Sequence, residues 1–192
     1  MREARARAAD LGCTTISRPT AALLRLLASV TRAQAVVEIG TGTGVSGAAL
    51  LGGMATGGVL TSIDVEAEHQ RVARETFTAL GYDHTRARLI AGRALEVLPR
   101  LSDAAYDMVV VDGDKAEYPA VLAQAKRLLR DGGMVVLDNV LWGGRVVDPA
   151  ERDAETAALR ETIAAVKADD EWTPSLLSVG DGLLVAALHR AE

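Results

Sequence analysis

Residues 35–47, AVVEIGTGTGVSG, decide how the rest of the chain is read. The apolar run Ala35-Val36-Val37-Glu38-Ile39 is long enough for a short buried strand. Gly40, Gly42 and Gly44 break it, and a helical pattern begins near Val45. Glycine lets a backbone turn tightly and approach a ligand with no Cβ in the way. The following helix aims its unsatisfied N–H groups and positive dipole end into the turn. Strand, glycine turn and helix together predict a nucleotide-type cradle.

Downstream of this stretch, apolar runs alternate with helical patterns. Strands are expected at 35–39, 59–64, 86–91, 106–112 and 134–138, and helices at 45–55, 66–80, 94–101, 117–130 and 151–168. The strands are continuous apolar runs such as Met108-Val109-Val110-Val111, the mark of a parallel sheet covered on both faces. The ending differs. Apolar runs at 176–179 and 183–188 flank Gly180-Asp181-Gly182 and predict an antiparallel hairpin. Upstream, 2–11 reads as a helix closed by Gly12, and Pro19 opens a second helix. The expected fold class is α/β: a Rossmann-like, doubly wound, mostly parallel seven-stranded sheet with a C-terminal antiparallel hairpin and helices on both faces. One domain over 1–192 is expected, 1–34 serving as a cover and 35–192 as the core.

Composition narrows the function classes. The chain has 192 residues and a net charge of −5 with scattered Lys and Arg, which argues against a nucleic-acid partner. No apolar run approaches the ~18–20 residues of a membrane span, and no charged-then-apolar leader opens the chain. Cys13 is the only cysteine, so neither an internal disulfide nor a cysteine zinc cluster is available. A cytoplasmic enzyme acting on small molecules is the expectation.

In such sheets ligands sit beyond the carboxyl ends of the strands. Here those ends carry the glycine turn, Asp64, Asp112 and Asp138-Asn139. Aspartate is common at helix N-caps, yet three on successive strand ends point to a site. Asp64 follows Gly44 by about the spacing at which a cradle places an acid on ribose hydroxyls; its structural alternative is a cap for the helix at 66–80. Gly42-Thr43-Gly44-Val45-Ser46-Gly47 matches the G-x-G-x-x-G of dinucleotide enzymes, so an NAD(P)-dependent oxidoreductase is one alternative. Glu38 opposes it. A buried acid two residues before the first glycine suits a cationic ligand, or donors nearby, rather than a pyrophosphate.

Glu38-Ile39-Gly40-Thr41-Gly42-Thr43-Gly44 resembles the first motif of class I S-adenosylmethionine-dependent methyltransferases. VDGDKAEY (111–118) and LDNVLWGGRV (137–146) are similar to the cation-dependent O-methyltransferases of the catechol and caffeoyl-CoA type, and the resemblance runs from about Ile16 to the terminal hairpin. It implies methyl transfer to one hydroxyl of a small vicinal-diol aromatic. The metal would be held by Asp112, Asp138 and Asn139, three hard oxygen donors that suit Mg²⁺, Mn²⁺ or Ca²⁺. Lys115 would be the catalytic base, a neighbouring cation favouring the neutral amine.

The resemblance also implies the cofactor contacts. Ile16, with Ser17, would line the methionine end, and Glu38, Gly40, Thr41 and Gly42 the cradle. Ser46 would meet the carboxylate, unless it only caps a helix. Asp64 and Val65 would serve the ribose, Asp112 and Gly113 the metal side, and Gly92-Arg93-Ala94 the adenine. Arg93 departs from the acid or Ser usual at its position. Tyr118 and Trp142 would lie near the acceptor, with a helix start and a core tryptophan as the structural alternatives. His69, His84 and His189 show no ligand spacing. Many family members carry a further helix before the position of Met1 that helps cap the acceptor site and pair subunits. A homodimer with no nucleic-acid or membrane partner is the implied assembly. From another class, a non-catalytic cofactor-binding or regulatory protein keeps the same fold.

Overall fold

In a computed structural model, which describes residues 2–190, the chain forms two compact units, Met1–Val97 and Leu98–Glu192. Met1, Ala191 and Glu192, the ends of the expected 1–192 domain, lie outside the described residues.

The first unit opens with α1 (Arg2–Asp10), which Gly12 ends at φ 65°, as expected. α2 (Arg18–Val30) begins behind Ser17, whose hydroxyl accepts from Thr20 N at 3.1 Å, with Pro19 in the first turn where no N–H is needed. Strands β1 (Ala35–Ile39), β2 (Val59–Asp64) and β3 (Ala87–Ala91) pair in parallel in the order β3-β2-β1. Helices α3 (Val45–Gly53), α4 (Ala67–Ala79) and α5 (Ala94–Val97) follow them in turn. The register sets Glu38 beside Ser62 and Ile39 beside Ile63, so the ends of β1 and β2 are level. That alignment brings the glycine turn next to Asp64. The helix expected over 94–101 is shorter, giving way to a 3-10 turn at Leu98–Arg100, because Pro99 lacks the N–H an α-turn requires.

The second unit is a four-stranded sheet in the order β4-β5-β7-β6, built from β4 (Tyr106–Val111), β5 (Leu129–Asp138), β6 (Trp172–Leu177) and β7 (Leu183–Leu188). β4 and β5 are parallel; β7 runs antiparallel between β5 and β6. α6 (Tyr118–Leu128) connects β4 to β5, and α7 (Ala154–Ala168) starts behind Asp153, whose carboxylate accepts from Thr156 N at 2.9 Å. Val109, Val110, Val135, Val136 and Leu137 are all but inaccessible, as continuous apolar strands require.

Two strands are longer than their sequence pattern predicts. β5 begins at Leu129 rather than 134, since its first residues pair with Tyr106 across a register shift. β6 begins at Trp172 rather than 176. Pro174 argues against a strand, but β6 is the sheet edge, where a missing N–H breaks no ladder. No helix among the described residues is long and apolar enough to cross a membrane.

Candidate active site

In the first unit the candidate groups gather at the ends of β1 and β2. Gly40, Gly42 and Gly44 all have positive φ, at 93°, 47° and 84°, so the turn is one that L side chains rarely enter. Gly44 is also the N-cap of α3, with Phe77 and Ala73 packed 3.0–3.2 Å from where its Cβ would be. A Cβ on Gly47 would lie 2.6 Å from Phe77 and 3.1 Å from Glu38 Oε2. The last glycine of the sequence motif therefore lets α3 close onto β1 and α4.

Asp64 fastens this turn. Its Oδ2 accepts from Gly42 N at 2.8 Å and its Oδ1 from Glu66 N at 2.9 Å. The N-cap of α4 is Glu66, so the capping alternative for Asp64 does not hold. Likewise Ser46 is not a cap: it lies in the first turn of α3, behind Gly44. Val65, next to Asp64, is apolar yet 58 % exposed. Arg93 is exposed and Ala94 buried, at the start of α5 beyond β3.

Glu38 is buried and accepts from Ser62 Oγ at 2.5 Å. The Ser62 proton is thus used, so Thr41 Oγ1, 2.7 Å away, is the donor to Ser62. This chain, Thr41 to Ser62 to Glu38, holds the carboxylate at the foot of the glycine turn. Ser62 carries no signal in the sequence beyond its place two residues before Asp64. His69, read from sequence as having no site role, stands 3.7 Å from Asp64 Oδ2.

The N-terminal segment is tied to the same turn. Thr43 Oγ1 donates to Ala4 O at 2.9 Å, and Thr76 Oγ1 donates to Thr43 O at 3.0 Å. Arg5 donates to Thr15 Oγ1 and to the carbonyl of Ile16, whose own side chain is buried. Ile16 and the turn thus belong to one hydrogen-bonded assembly. The Ser17 hydroxyl is engaged in its cap.

In the second unit the candidate groups gather at the ends of β4 and β5. Asp112 follows β4, and Asp138 closes β5. Lys115, on a 3-10 turn at Lys115–Glu117, is 5 % exposed, with Nζ 3.3 Å from Asp112 Oδ1 and 2.7 Å from Tyr118 Oη. Asp114 caps that turn by accepting from Ala116 N at 3.0 Å. The Lys115 ammonium also faces the rings of Tyr118 and Trp142, 4.8 and 5.9 Å from their centroids. Gly113 lies between Asp112 and that cap.

Asp138 is 3 % exposed and accepts from Asn139 N at 2.9 Å. Burial, then the nearby Asp112 charge, pushes its carboxyl from an ordinary 3.8 up to about 6. Asn139 adopts φ 57°, a left-handed conformation that asparagine tolerates. Two carboxylates that repel each other, with the amide residue Asn139 next in the chain after Asp138, make a donor set suited to a hard divalent cation. Among the described residues, no group of three or more His, Cys, Asp or Glu side chains converges as a metal cluster. A cation here would rest on Asp112, Asp138 and the Asn139 amide, with water or substrate completing its shell.

Tyr118 and Trp142 differ from each other. Tyr118 is completely buried, so its side chain lies in the interior of the second unit. Burial, then the charges of Asp112 and Asp138, raise its phenol well above the usual tyrosine value. Trp142 is half-buried with φ 52°, and its Nε1 is enclosed with no hydrogen-bond partner. The loop carrying it is clamped from β7's turn: Gly143 N donates to the Asp181 carboxylate at 2.8 Å, and Leu141 N to the Asp181 carbonyl at 3.0 Å. Asp181, legible in sequence only as a hairpin turn, therefore shapes the loop beside Lys115.

The sequence model of a family described as O-methyltransferase matches residues 1–189. A curated relative from Mycobacterium sp. (strain JLS), named after the same family, is 51 % identical over 184 residues, 96 % of this chain and 84 % of the relative. A Corynebacterium glutamicum protein of known structure is 30 % identical, with a TM-score of 0.92 over 100 % of this chain and 90 % of its own. TomG, an O-methyltransferase from Streptomyces achromogenes involved in tomaymycin synthesis and solved with S-adenosylmethionine, is 30 % identical. Its TM-score is 0.90 over 98 % of this chain and 90 % of its own. These likenesses carry the expected Rossmann-like, seven-stranded methyltransferase fold.

Proposed function

The chain belongs to the O-methyltransferase family, and we propose that it moves the methyl group of S-adenosylmethionine to one hydroxyl of a small vicinal-diol aromatic, with a divalent cation such as Mg²⁺. The observation that carries this reading is the Lys115, Asp112, Asp138 and Asn139 cluster: a buried amine beside two repelling carboxylates and an amide. An oxidoreductase has no use for that cluster, and a regulatory protein would gain nothing from keeping it.

Each group has a role in the reaction. In the first unit, the glycine turn and the Asp64 carboxylate receive the nucleoside, Asp64 by its free lone pairs on ribose hydroxyls. Glu38 sets a negative charge under the turn for the cationic end of the cofactor. Val65 offers an apolar surface to a base. In the second unit, a bound cation supplies Lewis acidity and orientation to vicinal oxygens. Lys115 takes the phenolic proton. A phenol ordinarily ionises near pH ~10, so a base at the hydroxyl is needed near neutrality. The oxygen then displaces the sulfonium methyl, and orientation is the remaining task.

The test is transfer of labelled methyl from S-adenosylmethionine to a panel of catechols, caffeoyl esters and flavonoids, each with Mg²⁺ and with EDTA. Turnover that EDTA abolishes is expected. Turnover indifferent to EDTA would keep methyl transfer and remove the cation. Tight NADH binding in place of S-adenosylmethionine would overturn the reading altogether.

A further inference from the structure

The hydroxyl of Tyr118 meets three groups of the second unit. Its oxygen is 3.1 Å from the Val111 carbonyl, 3.0 Å from the Asp138 carbonyl and 2.7 Å from Lys115 Nζ. Carbonyl oxygens only accept, so the single phenolic proton is directed toward them and a lone pair of Oη receives an N–H of Lys115. A second N–H of Lys115 is directed to Asp112 Oδ1 at 3.3 Å, the longer and weaker contact.

With one N–H on Tyr118 and another on Asp112, Nζ is held in place from two sides. From this geometry we propose that Tyr118 is a positioning residue that fixes Lys115 Nζ at the ends of β4 and β5 and does not itself touch the acceptor. Burial supports the second half, since Tyr118 has no exposed surface. The same hydroxyl also bridges the carbonyls of Val111 and Asp138, the residue before Asp112 and the residue before Asn139. One oxygen thus sets the amine relative to both strand ends.

The inference rests on Lys115 being the base. In that step the acceptor O–H bond breaks and its proton joins the lone pair of Nζ, giving an ammonium with three N–H bonds. The O–H electron pair stays on oxygen and forms the bond to the methyl carbon, while the S–C pair departs on sulfur as S-adenosylhomocysteine forms.

Tyr118→Phe keeps the ring and removes the oxygen. Transfer from labelled S-adenosylmethionine to 3,4-dihydroxybenzoate with Mg²⁺ is measured for wild type, Tyr118→Phe, Lys115→Met and the double variant. The single Tyr118→Phe change is expected to lower kcat about 10- to 100-fold, with acceptor KM and cofactor affinity within about twofold. In the Lys115→Met background the same change is expected to alter the residual rate less than about twofold, because the residue it acts through is gone. A wild-type kcat for Tyr118→Phe, or an equal loss in both backgrounds, overturns the proposal. Lys115→Met turning over at the wild-type rate would sink the base assignment, and this inference with it. A second readout needs no acceptor. In protein labelled with ¹⁵N at lysine Nζ, the Lys115 ammonium should give a ¹H–¹⁵N signal that Tyr118→Phe removes while the melting midpoint still reports a folded chain. Persistence of that signal would equally overturn the proposal.

Discussion

The glycine turn of the first unit and the strand-end cluster of the second solve opposite problems. Around residues 38–47 the polar groups are tied to one another: Asp64 holds Gly42 and Glu66, Ser62 holds Glu38 through Oε2, and Thr41 holds Ser62. Shape there comes from backbone conformation and close packing. At the strand ends of the second unit the Asp112 and Asp138 carboxylates repel each other beside Lys115, and burial, then the Asp112 charge, drives Asp138 up to about 6. The turn of the cradle is fixed by backbone geometry, whereas the cluster favours the arrival of a cation or proton. Stability should therefore respond in opposite senses to changes in the two regions, while activity falls in both.

The largest effect expected is at Gly44. Gly44→Ala places a Cβ at φ 84° and 3.0–3.2 Å from Phe77 and Ala73. Left-handed strain and overpacking together should cost about 2–4 kcal/mol, read as a lower urea midpoint with unchanged slope, and weaken S-adenosylmethionine binding in calorimetry. A variant as stable as wild type would mean that the turn is not held by backbone geometry.

Asp138→Asn should do the reverse and stabilise. The Asp138 carboxyl is raised from 3.8 to about 6 on folding, so its contribution favours the folded state fully below pH 3.8 and is lost as pH rises through about 6. At pH 7.5, with EDTA, replacing it by a neutral isostere should raise stability by on the order of 2–3 kcal/mol while abolishing cation-dependent transfer. For wild type, the gain in melting temperature from Mg²⁺ should be largest above pH 6 and fade toward pH 4. Destabilisation by Asp138→Asn at pH 7.5 would break the contrast between the regions.

The smallest effect belongs to Ser62→Ala. Removing one hydrogen bond to a charged carboxylate should weaken S-adenosylmethionine binding roughly 5- to 20-fold, about 1–2 kcal/mol. The cation dependence of the melting temperature should not move. An altered Mg²⁺ response would show that the two regions are not energetically separate.

Much of this arrangement is written in local residue patterns. Continuous Val and Leu runs announce buried parallel strands, and β1 and β2 fall at 35–39 and 59–64, as the pattern predicts. Glycines in a turn between strand and helix announce the cradle, because no other residue enters those conformations freely. Strand-end aspartates mark where chemistry could lie. Where local pattern and context conflict, context wins: Pro174 sits in a strand because that strand is an edge, and Pro99 cuts a helix short.

Side-chain partnerships are another matter. Ser62 and Asp181 look like ordinary strand and turn residues, and Tyr118 looks like a residue near the acceptor or a helix start. Only the fold shows Ser62 under Glu38, Asp181 clamping the Trp142 loop, and Tyr118 buried behind Lys115. The sequence by itself determined the strand–turn–helix order and the chemical identity of the candidate groups, because backbone propensity and apolar periodicity act over a few neighbouring residues. The tertiary structure alone decided which oxygen each of those groups meets and how far Asp138 is pushed from its ordinary titration. Hydrogen-bond geometry and burial depend on atoms brought together from strands far apart in the chain.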